Sequence, residues 1–302
     1  MAGAPVVSVV LIFLDAEPFL DEAIRSVRDQ RLVGWELLLV DDGSRDGSSE
    51  TARRHASEDP ARIRCLEHEG HANRGMSASR NLGIAHAGGR HVTFLDADDV
   101  LVPEALGTLV GLLEREPRAA MAYGPVEYWY SWAGPGAPRS DFVQRLGVPT
   151  GVLLEPPTLL LAFLRRRAAA PSGMIVRAGV LRRVGGFVEA FRGMYEDQAF
   201  CAKLCLAHPV VTTAACVYRY RQHPASSSSA ADRSGQNDFG RGPFLDWLAG
   251  YLDEQGVRGG PVREALRRER WWSEHPRLNQ LARRVRRWAR SLSRRLERAT
   301  GA

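Results

Sequence analysis

The chain has 302 residues, is 44% hydrophobic and carries a net charge of +6. That is enough apolar material for a large core, and it excludes disordered and collagen-like classes. The charge is uneven: residues 277–302 hold nine Arg and one Glu, a local +8 that leaves the rest of the chain at −2. A general nucleic-acid surface is therefore not expected of the folded part, and the longest apolar run, residues 6–14, is too short to cross a bilayer. That run also lacks the basic flank and small-residue cleavage site of a signal peptide. Cys65, Cys201, Cys205 and Cys216 form no CxxC pair, so they read as buried free thiols in a reducing cytoplasm.

VVSVVLIFL (6–14) reads as a strand buried on both faces. Pro18 opens a helix to about Arg28, with Phe19, Leu20, Ala23, Ile24 and Val27 at helical spacing. WELLLV (35–40) is a second buried strand ending in Asp41-Asp42-Gly43-Ser44, followed by a helix over 46–58. IRCLEH (63–68) is a third strand. Residues 73–87 read as a loop entering a helix. HVTFL (91–95) is a fourth strand, and Pro103 opens a helix to about Glu114. Four strand–helix alternations predict an α/β fold with a mostly parallel sheet flanked by helices. Ligands of such sheets sit beyond the carboxyl ends of the strands, where Asp15, Asp41, Asp42, Asp96 and Asp98 fall.

The later elements are less regular. MAYGPVEYWYSW (121–132) suggests a strand and an aromatic loop, 158–167 a helix, SGMIV (172–176) a strand, and VLRRVGGF a short helix stopped at Gly185-Gly186. A helix begins near Asp197, and 209–221 reads as extended chain. Residues 224–242 are a Ser/Gly-rich linker or loop. Helices are expected over 243–255, 261–272 and 277–298.

Chemistry gathers in FLDADDVLVP (94–103). Asp96 and Asp98 at a strand end can present oxygens to one Mg²⁺ or Mn²⁺ that also binds phosphate; a solvated acidic turn is the plain alternative. Asp41-Asp42-Gly-Ser suits either an ordinary Asp-Gly turn or a hydrogen bond to a base or ribose. Arg80, beside a helix N-terminus, suits a diphosphate or a surface charge. Asp197, after Glu196, is either a helix cap or a general base.

Taken together these segments resemble the family 2 glycosyltransferases of the GT-A, Rossmann-like nucleotide-binding fold. The matching stretches are VSVVLIFLDAEPFLDEAIRSV, LLLVDDGSRDGS, NRGMSASRNLGIAHAGG, VTFLDADDVLVPEAL and SGMIVRAGVLRRVGGFVEAF followed by YEDQAF. The likeness covers roughly 6–223. It implies a domain over 1–223, with a nucleotide-sugar half (1–120) and an acceptor half (121–223). A linker (224–242) and a C-terminal helical region (243–302) follow.

The resemblance also implies roles. Asp42 would bind the base, Asp96 with Ala97 the ribose side, Asp98 the Mg²⁺ or Mn²⁺, and Arg80 the donor. Asp197 would be the base that takes the acceptor proton in an inverting transfer, with Glu196 on the acceptor side. Glu17 matches a position near the nucleotide, and His223 a further metal or diphosphate contact. Where the family often has an aromatic after strand one, this chain has Leu14; UDP or dTDP is the favoured donor nucleotide, with GDP open. Trp129 and Trp132 would line the acceptor loop, and the acceptor would be a hydroxyl of a cell-envelope polysaccharide, glycolipid or other glycoconjugate.

Two rival readings differ in class. In a haloacid dehalogenase-like phosphatase Asp96 would be the nucleophile, but that class needs a later lysine and acidic pair, and Lys203 is the only lysine. A non-catalytic nucleotide-sugar binder would not hydrolyse a donor. In 277–298 the residues Leu278, Leu281, Val285, Trp288, Leu292 and Leu296 share one helical face opposite most of the Arg. That helix suits an anionic membrane surface, the inner face of the cell membrane, or a docking surface on protein.

Overall fold

The computed structural model describes residues 4–226, 229 and 241–279. Contacts divide the chain into two units, Met1–Ala230 and Ala231–Ala302, and the division falls inside the Ser/Gly-rich stretch. The first unit is built on an eight-stranded sheet. Its strands are β1 (Val7–Phe13), β2 (Trp35–Asp41), β3 (Ile63–Glu67), β4 (His91–Asp96), β6 (Met121–Tyr123), β9 (Leu153–Leu154), β10 (Met174–Arg177) and β11 (Val210–Thr212). They lie side by side in the order β3-β2-β1-β4-β10-β6-β11-β9. A smaller sheet joins β5 (Val100–Leu101), β12 (Tyr218–Arg221), β7 (Val126–Trp129) and β8 (Phe142–Val143) in that order.

All seven residues of β1 are buried, which explains why its sequence has no alternation: both of its faces are covered. The helices of this half are α1 (Glu17–Arg28), α2 (Ser48–Glu58), α3 (Met76–His86) and α4 (Ala105–Arg115). Pro18 lies in the first turn of α1, and Leu20, Ala23, Ile24 and Val27 are buried in the core as the spacing predicts. Phe19 departs from that stripe and packs instead on Trp132 and His223. Later helices are α5 (Thr158–Leu164), α6 (Ala178–Arg183) and α7 (Glu196–Ala207).

The α3–β1 contact depends on a missing side chain. A methyl group on Gly83 would be driven into the Val10 side chain. Gly83→Ala should therefore lower stability by about 1–3 kcal/mol through overpacking. That outweighs the roughly 1 kcal/mol that alanine gains in a helix interior. A urea midpoint at or above that of the unaltered protein would show that Val10 can yield.

Among the described residues, β1 pairs in parallel with β2 and β4, and β2 with β3, as expected of βαβ units. β10 then enters antiparallel between β4 and β6, and β9 is antiparallel to β11. The sheet is thus less uniformly parallel than the alternation of its first half suggests. Two of the long extended segments are also broken. Residues 121–132 supply β6 to the large sheet and β7 to the small one, and 209–221 supply β11 and β12 likewise. Gly124-Pro125 makes the first crossing, where Gly124 lies so close to Ala215 that a Cβ would stand 2.7 Å from its carbonyl oxygen.

Cys201 and Cys205 are buried, as expected, and all four cysteines are free; Cys65, however, is exposed and Cys216 half-buried. Cys65 lies on β3, the outermost strand of the large sheet, where one face meets solvent. In the second unit, α8 (Gly242–Glu254) and α9 (Pro261–Glu274) form a helical pair with Leu245, Leu248, Leu252, Val262 and Leu266 buried. No described helix is long and apolar enough to cross a membrane. Apart from its first residues, the basic stretch 277–298 lies outside the described residues.

Candidate active site

The register of β1 fixes the site. Phe13 pairs with Asp41 and Ile12 with Asp96, so adjacent strands end side by side and deliver their loops to one edge. Adjacent strands are about 4.8 Å apart, close enough for these loops to touch.

Each acidic group at this edge has a different task. Asp41 serves its own turn: its Oδ1 accepts from the amides of Gly43 (3.1 Å) and Ser44 (2.8 Å), and its Oδ2 from the Ser49 hydroxyl. Asp15 likewise accepts from the Arg45 amide at 2.7 Å. Asp41 is thus taken up by its own turn, whereas Asp15 ties the end of β1 to the loop after β2, 30 residues away. Asp42, buried, accepts from the amides of Arg74 (2.7 Å) and Gly75 (3.0 Å), tying the end of β2 to the loop that opens α3. Gly75 has φ +89°, and a Cβ there would meet Arg192 at 3.0 Å, so glycine is required at this joint.

Arg80 projects from α3 and is buried. It donates from Nη2 to Asp96 (2.7 Å) and from Nη1 to Glu196 (3.2 Å), with its guanidinium over the Phe187 ring. Burial alone would disfavour the charged guanidinium, but the two carboxylates hold it firmly protonated. Asp96 is pushed up by burial, an effect opposed by Arg80 and reinforced by Asp98. Its side chain nevertheless keeps 38% of its surface open.

Asp98 and Asp99 separate cleanly. Asp98 Oδ2 lies 2.9 Å from His223 Nε2. Asp99 points inward, accepting from the Tyr218 hydroxyl (2.5 Å) and the Arg221 amide (2.7 Å), and burial raises its pKa well above the carboxylate range. Asp99 thus anchors the turn that presents Asp98. Among the described residues no cluster of three or more His, Cys, Asp or Glu gathers to hold a metal ion. Asp98 and His223 offer one oxygen and one nitrogen donor, which fits Mg²⁺ or Mn²⁺ only if substrate oxygens complete the shell.

On the other side of Arg80, Glu196 and Asp197 open α7 behind Tyr195, whose φ of +68° turns the chain sharply into the helix. Glu196 is buried on Arg80. Asp197 is raised to about 7, first by burial and then by the neighbouring Glu196 charge. Its Oδ1 accepts from the Gln198 amide at 2.6 Å. Arg80 is therefore the bridge between the β4 end and the α7 start, and places Asp96 and Glu196 at one centre.

The remaining predicted residues are spread around the rim. Leu14 is 44% exposed at the end of β1, and Ala97 is buried. Glu17 accepts from the Gly47 amide at 3.2 Å. Trp129 and Trp132 do not stand free as sugar platforms: both pack on the Arg221 guanidinium, at 4.4 and 5.1 Å, and Trp132 Nε1 donates to the Gln222 carbonyl. Arg221 itself escapes sequence reading. It donates to the Asp98 carbonyl (2.7 Å) and to Glu22 (2.5 Å), and Phe19 completes its aromatic box. The available signal was the nearness of YRYRQH to a Trp-rich loop, since guanidinium groups seek aromatic faces.

Comparison with known proteins bears on the fold and on the segments that form it. The family model described as Glycosyl transferase family 2 matches residues 8–149. EpsJ, an uncharacterized glycosyltransferase of Bacillus subtilis, is 42% identical over 95 residues, 32% of this chain. Those residues span only 26% of EpsJ. S. aureus TarS in complex with UDP-GlcNAc shares the fold with a TM-score of 0.59 at 19% identity, over 74% of this chain and 61% of its own. Mannosyltransferase PcManGT from Pyrobaculum calidifontis, in complex with GDP-Man and Mn²⁺, does so with a TM-score of 0.54 at 16% identity, over 91% and 84%. The strand ends that carry Asp42, Asp96 and Asp98 lie within the matched segment, so residues 8–149 are similar to glycosyl transferase family 2, and the chain shares the GT-A fold of these glycosyltransferase structures.

Proposed function

We propose that the protein transfers a sugar from a nucleotide-diphosphate sugar to an acceptor hydroxyl with inversion at the anomeric carbon. The observation that carries this reading is the Arg80 bridge, which ties the end of β4, through Asp96, to the start of α7, through Glu196, and so brings the segments that carry Asp98 and Asp197 near one centre. The acceptor oxygen attacks the anomeric carbon as the bond to the diphosphate oxygen breaks. The bond pair leaves with the diphosphate, and the hydroxyl proton passes to Asp197. A carboxyl group raised to about 7 suits that task, since it is half ionised near neutrality yet basic enough to accept a proton.

Asp98 and His223 would hold a Mg²⁺ or Mn²⁺, which when bound neutralises charge on the diphosphate. Asp42 with Leu14 would meet the base, Glu17 would lie near the nucleotide, and Asp96 with Ala97 would face the ribose. Arg80 sets these groups in place. The Mn²⁺ and the nucleotide-sugars held by PcManGT and TarS support a diphosphate donor here. UDP or dTDP is preferred over GDP, and the acceptor belongs to a cell-envelope polysaccharide, glycolipid or other glycoconjugate. Trp129 and Trp132 would border its entry.

Donor hydrolysis screened across nucleotide-sugars with Mn²⁺, Mg²⁺ and EDTA tests the reading. One nucleotide-sugar should be hydrolysed, and EDTA, Asp98→Ala and His223→Ala should each weaken its binding. Donor binding untouched by all three would remove the metal assignment. A phosphatase activity lacking any nucleotide-sugar dependence would remove the transferase reading itself.

A further inference from the structure

A second polar site lies at the other end of β4. His91 begins that strand, pairing with Val7 of β1 and Arg177 of β10. Asp96 is five residues further on, about 17 Å away at the rise of an extended strand. Around His91 opens a cavity of about 300 Å³ lined by Arg90, Glu114, Arg177, Val180 and Arg183. Three guanidinium groups face one carboxylate there.

Two observations mark this cavity as more than a charged patch. First, His91 is 4% exposed, and its Nδ1 is buried with no hydrogen-bond partner among the described residues. An unmatched buried ring nitrogen costs stability unless a ligand or water completes it. Second, Arg177 is fixed in place. Its Nε donates to the Ala119 carbonyl (2.8 Å) and its Nη2 to the Leu113 carbonyl (2.6 Å), so Nη1 lies outside these bonds. A guanidinium immobilised in advance loses little freedom when it binds an anion. The local field is positive as well: Arg177 and Arg90 add to burial in depressing the His91 pKa.

We infer that this cavity is an anion site that takes a phosphate or diphosphate group, separate from the donor cleft. The excess of two positive charges favours a ligand with at least two negative charges. The fork of a guanidinium matches phosphate oxygens in pairs, and a neutral His91 would add one N–H donor. A cavity of this size holds a diphosphate or a small phosphorylated metabolite rather than a polymer.

The full chain would be titrated with pyrophosphate at constant ionic strength, with EDTA present. Binding would be followed by calorimetry and by the His91 ring signals in NMR. Saturable binding should appear in the unaltered protein and in Asp98→Ala, and the His91 signals should move. The double variant Arg90→Glu/Arg183→Glu, altered at two exposed positions, should keep its circular dichroism and weaken binding at least tenfold. Vesicles of phosphatidylglycerol form a second arm. Retention that depends on the same two arginines also supports the site and names a lipid headgroup as the phosphate source. Equal pyrophosphate binding by the double variant, or a silent His91, would overturn the inference. Loss of binding in Asp98→Ala would do the same, since it would move the anion to the donor cleft.

Discussion

Replacing Asp197 by Asn should lower kcat by roughly 10²–10⁴-fold, the usual contribution of a positioned general base. Donor affinity should hardly change, because the substitution leaves the Arg80 contacts to Asp96 and Glu196 in place. The pH dependence follows from the raised pKa. The base works as the carboxylate, so kcat/KM should rise through about pH 7 and lose this limb in Asp197→Asn. Stability should move the other way. A carboxyl whose folded pKa is raised above its unfolded value near 3.9 stabilises the fold fully below that value. The contribution is lost as pH rises through about 7. Asp197→Asn should therefore be more stable than the unaltered protein at pH 8, and the difference should vanish below about pH 4. An unchanged acid limb, or equal urea midpoints at pH 8, would remove Asp197 as the base.

Arg80→Ala should be the most damaging substitution to the fold among the site residues. It leaves Glu196 buried without its cation, and breaking a buried pair in this way costs about 3–5 kcal/mol. Arg80→Lys should recover only part of that loss, because a single ammonium cannot serve Asp96 and Glu196 as the planar fork does. The double variant Arg80→Met/Glu196→Gln separates the two roles. Its urea midpoint should return toward that of the unaltered protein, since no buried charge is stranded on the α7 side. Donor affinity should stay low, because Asp96 is no longer steered. Recovery of donor binding along with stability would reduce Arg80 to a packing role.

The first half of the fold was legible because its signals are local. Apolar runs over 6–14 and 35–40 mark buried strands, and Leu20, Ala23, Ile24 and Val27 keep the spacing of one helix face. Asp96 and Asp98 follow such a strand, so their place at its carboxyl end was readable. The second half was harder because β7 and β12 are four-residue strands that belong to a different sheet from the segments leading into them. No periodicity reports a change of sheet. The partners of the acidic groups were hidden for a related reason. Arg80 meets Glu196 across 116 residues, and Arg221 meets Asp98 across 123. An isolated Arg looks the same in sequence whether it ends in solvent or between two carboxylates. The separate tasks of Asp98 and Asp99 likewise turn on which way each side chain points.

The hold of Tyr218 and Arg221 on Asp99 has a consequence for how the protein folds. β12 pairs with β5 immediately after the DADD turn, and Tyr218 reaches Asp99 across 119 residues of chain. Contacts between such distant residues form late, because the chain entropy of closure must be met before they contribute. A nascent chain holding only residues 1–149 would already possess Asp42, Arg80, Asp96 and Asp98, yet would lack Glu196, Tyr218, Arg221 and His223. Its Asp98 turn would keep the hydrogen bond from the Asp99 amide to the Asp96 carbonyl but lack the Tyr218 and Arg221 anchors. On the proposed reading, competence to bind a cation and a diphosphate would arrive only with the last strand of the domain, so that a partly made chain would be idle toward donor rather than a weak binder of it.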